Sequence, residues 1–211
     1  MSQPVPIQTD IILVDVIAFS TLPDPLQYAT AMIINSGIAE AVSLIGIPEP
    51  ENDRQSILGV VPTGDGFYII LDQHLAGFGL LVALGLRNIL LFKSRKFGSP
   101  YAGARASVHF GPATPFQDAT GKENFIGSGL NDCARLQSLP SEQKKLGERF
   151  AKDANWVNIS RECWNNAAHI GLYHQLKQQA DFRISEEHLF RDKHGFEHIC
   201  RFVDISRLWI A

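Results

Sequence analysis

A chain of 211 residues that is 45% hydrophobic and 19% charged is expected to be a single soluble globular domain with a sizeable core. Its net charge of −3 lacks the electrostatic footprint of a general nucleic-acid binder, so no nucleic-acid polymer is expected as a partner. Cys133, Cys163 and Cys200 fit neither a disulfide framework nor a zinc spacing, which points to a reducing cytoplasm. The first ten residues lack the basic and apolar regions of a signal peptide. The longest apolar stretch, 75–86, is too short to cross a bilayer and reads as a buried helix, so no membrane is expected.

Residues 1–10 read as a polar lead-in. Residues 11–16 form a near-continuous apolar run, as expected of a central strand buried on both faces. A loop of small residues follows, and Asp24-Pro25 opens a helix with Asp24 as N-cap and Pro25 at the first helical position. Apolar positions at helical spacing carry that helix to a stop at Gly46, and 48–55 is an acidic loop. Two β-prone runs, 57–61 and 67–71, flank Thr63-Gly64-Asp65-Gly66, and Asp-Gly between alternating hydrophobics signals a hairpin.

Residues 72–92 read as a second helix, with 88–92 open to a strand reading, and 93–103 as a basic loop. Residues 104–110 alternate as a strand that Gly111-Pro112 is expected to break. A polar loop leads to 124–127, a helix over 128–139, a short strand over 156–159 and a helix over 161–179 capped by Ser160. The tail, 182–203, reads as a hairpin turning at Asp192-Lys193-His194-Gly195. The order β-α-β-β-α-β, then α-β-α and a β tail, predicts an α+β, ferredoxin-like sheet with helices on one face. In that sheet the first strand and the 57–71 hairpin are neighbours.

This neighbour relation joins two aspartates. Asp65 on its own is turn chemistry. Asp15, however, sits inside an apolar run, where a carboxylate is costly to bury without a partner. Brought together on rigid strands, the two would give hard oxygen ligands for Mg²⁺ or Mn²⁺, which commonly take one or two carboxylates plus substrate phosphates.

Three stretches together resemble class III nucleotidyl cyclases. They are Asp15-Val16-Ile17-Ala18-Phe19-Ser20, Gly64-Asp65-Gly66-Phe67, and the run from Arg105 through Val108-His109-Phe110-Gly111-Pro112 to the helix bearing Asn131 and Arg135. Their order and spacing cover about residues 9 to 165. The resemblance implies the ferredoxin-like βαββαβ core of that family, extended here by a C-terminal β-hairpin. It implies two divalent ions, Mg²⁺ or Mn²⁺, held by Asp15, Val16 and Asp65. Ile17, Ala18, Phe19, Ser20 and Thr21 would present backbone N–H groups to phosphate. Asn131 would orient the ribose, and Arg135 would neutralise charge at the α-phosphoryl group. The resemblance further implies a homodimer with each site shared between two chains.

Two departures are informative. Ala18 stands where the family usually has Gly, which is tolerable if φ is negative. Val61 and Asn124 occupy the base-reading positions, where purine cyclases place a lysine or glutamate and an aspartate, threonine or cysteine. Without purine determinants, the chain looks like the stand-alone pyrimidine cyclases of bacterial anti-phage defence (Pycsar systems). The expected substrate is then UTP before CTP, with a separate cyclic-nucleotide effector as partner and no sensor or membrane segment. An adenylyl or guanylyl cyclase with an unusual base pocket and a catalytically dead regulatory domain are the alternatives. Retention of Asp15, Asp65, Asn131 and Arg135 speaks against the dead domain.

Blander readings stand beside these. Asn131 and Arg135, four apart on a helix, also fit a surface polar pair. His109 reads as a satisfied strand residue. His194, His198 and Cys200 match no strong metal template and read as hairpin residues. Lys193 or Arg191 is a possible phosphate contact, and Lys93, Arg95 and Lys96 read as a solvated loop.

Overall fold

The computed structural model describes residues 4–44, 55–97, 103–151, 155–178 and 181–205. The expected stop at Gly46 and most of the acidic loop lie outside them. The elements in order are strand β1 (Ile7–Val16), helix α1 (Asp24–Leu44), strands β2 (Ile57–Pro62) and β3 (Gly66–Leu71), and helix α2 (Gly79–Phe97). Next come strands β4 (Ala104–Gln117) and β5 (Glu123–Ile126), helices α3 (Ser128–Gln137) and α4 (Ser141–Phe150), and strand β6 (Val157–Ser160). Helices α5 (Arg161–His169) and α6 (Leu172–Lys177) and strands β7 (Arg183–Ile184), β8 (His188–Arg191) and β9 (Glu197–Asp204) complete the described chain.

The sheet order β2-β3-β1-β4 is the ferredoxin-like arrangement, with β1 antiparallel to both neighbours. Strand β6 extends it parallel to β4, and β9 and β7 continue the sheet. The continuous apolar run of β1 is explained by burial on both faces. Ile12, Val14 and Val16 pack with α1, α2 and α5, whereas Ile11 and Leu13 pack with Leu130 and Cys133 of α3. Helices therefore cover both faces, not one as expected. Alternate residues of a strand face opposite ways, so the unbroken apolar run 11–14 within β1 already required two covers. Helix α4 lies on the α3 side, where Leu146 and Phe150 meet Trp156 and Phe202.

Several sequence readings are corrected by pairing. Strand β1 begins at Ile7, not residue 11. Thr9 and Asp10 are buried, Thr9 donating to the Leu71 carbonyl at 2.6 Å and Asp10 Oδ2 accepting the N–H groups of Gly77 and Gly79 at 2.7 and 2.8 Å. Gly111-Pro112 does not end β4, because Gly111 pairs with Thr9, Pro112 with Gln8, and the strand goes on to pair β5. Residues 73–75 form a separate 3-10 turn before α2, and 88–92 are helical. The helix expected over 161–179 breaks at Gly171, whose φ of 78° is easy only for glycine. The basic loop is shorter than expected, since α2 runs to Phe97 and Lys93 pairs with Glu40 of α1 at 2.9 Å. Among the described residues no helix is long and apolar enough to cross a membrane.

The terminal strand is fastened to α2 by a buried cation. Arg87, 3% exposed, donates to Asp204 at 2.6 Å, to the Asn155 carbonyl at 3.1 Å and to the Ile205 carbonyl at 2.7 Å. Arg183 closes on the other oxygen of Asp204.

Candidate active site

The two aspartates meet at the end of β1. Asp15 is opposite Gly66 in the β1–β3 register, and the next N–H, that of Val16, donates to the Asp65 carbonyl at 3.0 Å. The hairpin can come this close because residue 66 has no side chain: a Cβ there would lie 1.8 Å from the Val14 carbonyl oxygen. Across the other edge of β1, Asp15 faces Arg105, and Arg105 Nη2 lies 2.5 Å from Asp15 Oδ2. Asp65 is exposed in the turn and has no ion-pair partner among the described residues. Among those residues no cluster of three or more His, Cys, Asp or Glu is arranged for a metal. Two carboxylates with oxygen donors only nevertheless fit a hard cation such as Mg²⁺, for which substrate phosphates complete the shell.

The loop after Asp15 is a single 3-10 turn, Phe19–Thr21, separate from the N-terminus of α1. Ile17 N–H is taken by the Gly103 carbonyl at 2.9 Å, Thr21 N–H by Ala18 and Leu22 N–H by Phe19. The N–H groups of Ala18, Phe19 and Ser20 have no backbone acceptor among the described residues. Three consecutive donors with no backbone acceptor among the described residues, beside a carboxylate pair, suit a phosphate chain. Ala18 departs from the sequence expectation: its φ is +61°, the left-handed region, so the methyl is tolerated at a strain cost rather than avoided by a negative φ.

Val61 and Asn124 are brought together. Both line a cavity of about 290 Å³ with Gly59, Pro62, Lys122 and Phe125. Asn124 Oδ1 accepts the Phe125 N–H at 2.8 Å, and its Nδ2 makes no hydrogen bond to the described residues. The charged residues Lys122, Glu123 and Asp118 also line this cavity and were not anticipated, because they belong to a polar turn whose position depends on the β4–β5 pairing.

Asn131 and Arg135 lie on α3, which is clamped to the sheet by Gly129 against Pro112 and by Tyr68, whose hydroxyl donates to the Leu130 carbonyl at 3.2 Å. Asn131 is exposed. Arg135 is not a simple surface cation. Its Nη1 meets Asp132 at 2.7 Å, its Nε meets Asp192 of the β8–β9 turn at 3.0 Å, and its guanidinium carbon lies 4.9 Å from the Phe196 ring centre. A cavity of about 280 Å³ adjoins it, lined also by His109, Arg161, Glu162 and His198. Neither that cavity nor the Val61–Asn124 one includes Asp15 or Asp65. The cavity beside Arg135 is thus lined by neither of the two aspartates.

His109 is not the satisfied strand residue expected. Its buried Nδ1 has no hydrogen-bond partner among the described residues, Asp132 and Glu162 standing 3.9 and 3.8 Å from the ring nitrogens. Desolvation lowers its pKa against the pull of Glu162 and Asp132. His198 serves the hairpin, meeting Asp192 at 3.2 Å, and Cys200 is buried. Arg191 is engaged by Glu197 at 2.7 Å, which leaves Lys193, exposed in the same turn, as the better candidate for a phosphate contact.

This fold, a ferredoxin-like core extended by further strands and helices, matches that of solved adenylyl and guanylyl cyclase catalytic domains. The adenylyl cyclase CyaB from P. aeruginosa superposes with a TM-score of 0.67 at 13% identity, over 100% of both chains. The guanylate cyclase domain of RhGC from Catenaria anguillulae, solved in complex with GTP, gives 0.61 at 13% identity, over 94% of this chain and 96% of that one. A bacterial light-regulated adenylyl cyclase gives 0.62 at 15% identity; it covers 99% of this chain, which spans 55% of its length. No protein-family model and no curated protein matches the sequence.

Proposed function

We propose that this chain is a nucleotidyl cyclase that converts a pyrimidine nucleoside triphosphate, UTP before CTP, to its 3′,5′-cyclic nucleotide and pyrophosphate. The observation that carries the reading is the register that sets Asp15 beside the Asp65 turn on one side and Arg105 on the other. When bound at Asp15, Val16 and Asp65, two divalent ions supply activation of the ribose 3′-hydroxyl and neutralisation of the triphosphate. The chain itself orients and excludes. The N–H groups of Ala18, Phe19 and Ser20 hold phosphate oxygens, Asn131 holds the ribose, and Arg135 meets the charge that grows on the α-phosphoryl group. Attack by the 3′-oxygen forms the new P–O bond and expels pyrophosphate.

That the cavity beside Arg135 is lined by neither aspartate supports a homodimer, in which the carboxylates of one copy face the α3 residues of the other. Selection of a pyrimidine rests on Val61, which offers the base no polar atom, and on Asn124, whose Nδ2 donors suit a carbonyl-bearing edge. Uracil has two such carbonyls; cytosine has one and an amino group that would oppose the amide donors. A site lacking the charged purine-reading pair should discriminate against purines. A role as the signal-generating half of an anti-phage system, with a separate effector reading the cyclic product, follows from the pyrimidine resemblance.

Incubation of the purified chain with each of the four ribonucleoside triphosphates and Mn²⁺, with products resolved by mass spectrometry, tests this directly. Cyclic UMP should form fastest and cyclic CMP next. Equal or faster turnover of ATP refutes the pyrimidine assignment, and no cyclic product from any substrate refutes the cyclase reading.

A further inference from the structure

We infer that Asp192, on the turn of the C-terminal hairpin, is a positioning residue for Arg135, and that the hairpin is thereby part of the catalytic apparatus. This rests on the cyclase reading above. The Asp192 side chain is 5% exposed, and both of its oxygens are committed. Oδ1 accepts the N–H groups of His194 and Phe196 at 2.8 and 3.0 Å, which fixes the carboxylate to its own turn. Oδ2 faces Arg135 Nε at 3.0 Å and His198 Nε2 at 3.2 Å. His198 is itself stacked on Phe190, ring centres 5.3 Å apart, so the far side of the carboxylate is rigid as well.

Arg135 is thus held on three sides. Asp192 takes Nε, Asp132 takes Nη1, and Phe196 lies against the guanidinium plane. The remaining edge, Nη2, makes no hydrogen bond to the described residues, and the side chain is 30% exposed. With Nε paired to Asp192 and Nη1 to Asp132, Nη2 is the nitrogen left to meet an incoming anion. An arginine that meets charge developing in a transition state gains most when it is oriented beforehand, since no reorganisation is then needed. Desolvation pushes the Asp192 pKa up, but the Phe196 N–H, His198, the His194 N–H and Arg135 outweigh it and hold the carboxyl below its usual range. It is therefore an anion at neutral pH.

The test is Asp192→Asn in the full chain. The amide keeps the turn contacts through its oxygen and sets NH₂ against Arg135 Nε. With UTP and Mn²⁺, kcat should fall about tenfold or more while KM and the Kd of a non-cyclisable UTP analogue change less than about threefold. The thermal midpoint should stay close to that of the wild type. Phe196→Leu, at an exposed position, should show the same split more weakly, and it serves alone if Asp192→Asn does not fold.

Unchanged kcat in both variants overturns the inference. So does a parallel loss of kcat, nucleotide binding and thermal stability, which marks a merely structural hairpin. Failure of the wild-type chain to cyclise any nucleotide removes the reading beneath it, a different and separable result.

Discussion

The carboxylate end of β1 and the guanidinium of α3 are built on opposite plans. Asp65 is exposed and unpaired among the described residues, and Asp15 has one cross-strand cation, Arg105. Arg135 is neutralised by its own chain through Asp132 and Asp192. An aspartate pair left this open pays little to stay ionised in water and keeps oxygens for an incoming ion. An arginine caught between two carboxylates gives up mobility for direction. In the proposed cyclase, the carboxylate half would wait for ligands to complete it, whereas the Arg135 half would be set before substrate arrives.

The largest expected effect breaks the open half. Asp65→Ala should reduce turnover by about a thousandfold or more, because loss of a metal ligand removes several kcal/mol of charge stabilisation. The turn it leaves behind is exposed, so the thermal midpoint should hold. Retained activity in the folded variant sinks the metal assignment.

Mixing the two broken halves comes next. Asp65→Ala chains and Arg135→Ala chains, each inactive, should recover about one quarter of wild-type activity when exchanged at equal concentration. Half of the dimers are then mixed, and each mixed dimer has one intact site. Proven chain exchange without recovery would show that the half-sites do not belong to different copies.

A sharper contrast lies on β1 itself, between Asp15 and Asp10. Asp10 is fully buried, its Oδ1 has no hydrogen-bond partner among the described residues, and desolvation raises its pKa to about 6 against the opposing N–H groups of Gly79 and Gly77. A folded-state pKa above the unfolded one means that the ionised form opposes folding. Stability should therefore rise as pH falls from above 6 towards 3.8, by up to about 3 kcal/mol from this group alone. Asp10→Asn should flatten that slope in urea titrations between pH 7.5 and 4.5, and an unaltered slope would place the titration elsewhere. Asp15, by contrast, is a proposed metal ligand, so its replacement should be read in activity.

The smallest effect concerns strain in the open half. Ala18→Gly should stabilise the chain by about 1 kcal/mol, the left-handed strain relieved less the extra entropy of an unfolded glycine. A lower thermal midpoint would show that the methyl contributes packing that outweighs the strain.

Local chemistry alone specified much of this protein. The β1 run, the Gly-Asp-Gly-Phe hairpin, the α1 start and the α3 helix depend on periodicity and turn residues, and those act over a few positions. The Asp15–Asp65 meeting joins segments far apart in the chain, and was legible only through the β-α-β-β element order, whose ferredoxin-like arrangement sets the first strand beside the hairpin. What only tertiary structure decided are interactions between segments far apart in the chain. Pairing carried β4 through Gly111-Pro112, and the polar segment 141–150, which shows no long apolar run, became helix α4 by covering Trp156 and Phe202. The partners of Arg135 illustrate the limit best: Asp132 is three residues away and lies within reach of helical spacing, while Asp192 is 57 positions on. No local propensity encodes that second contact, because it exists only where β9 brings the terminal turn back over α3.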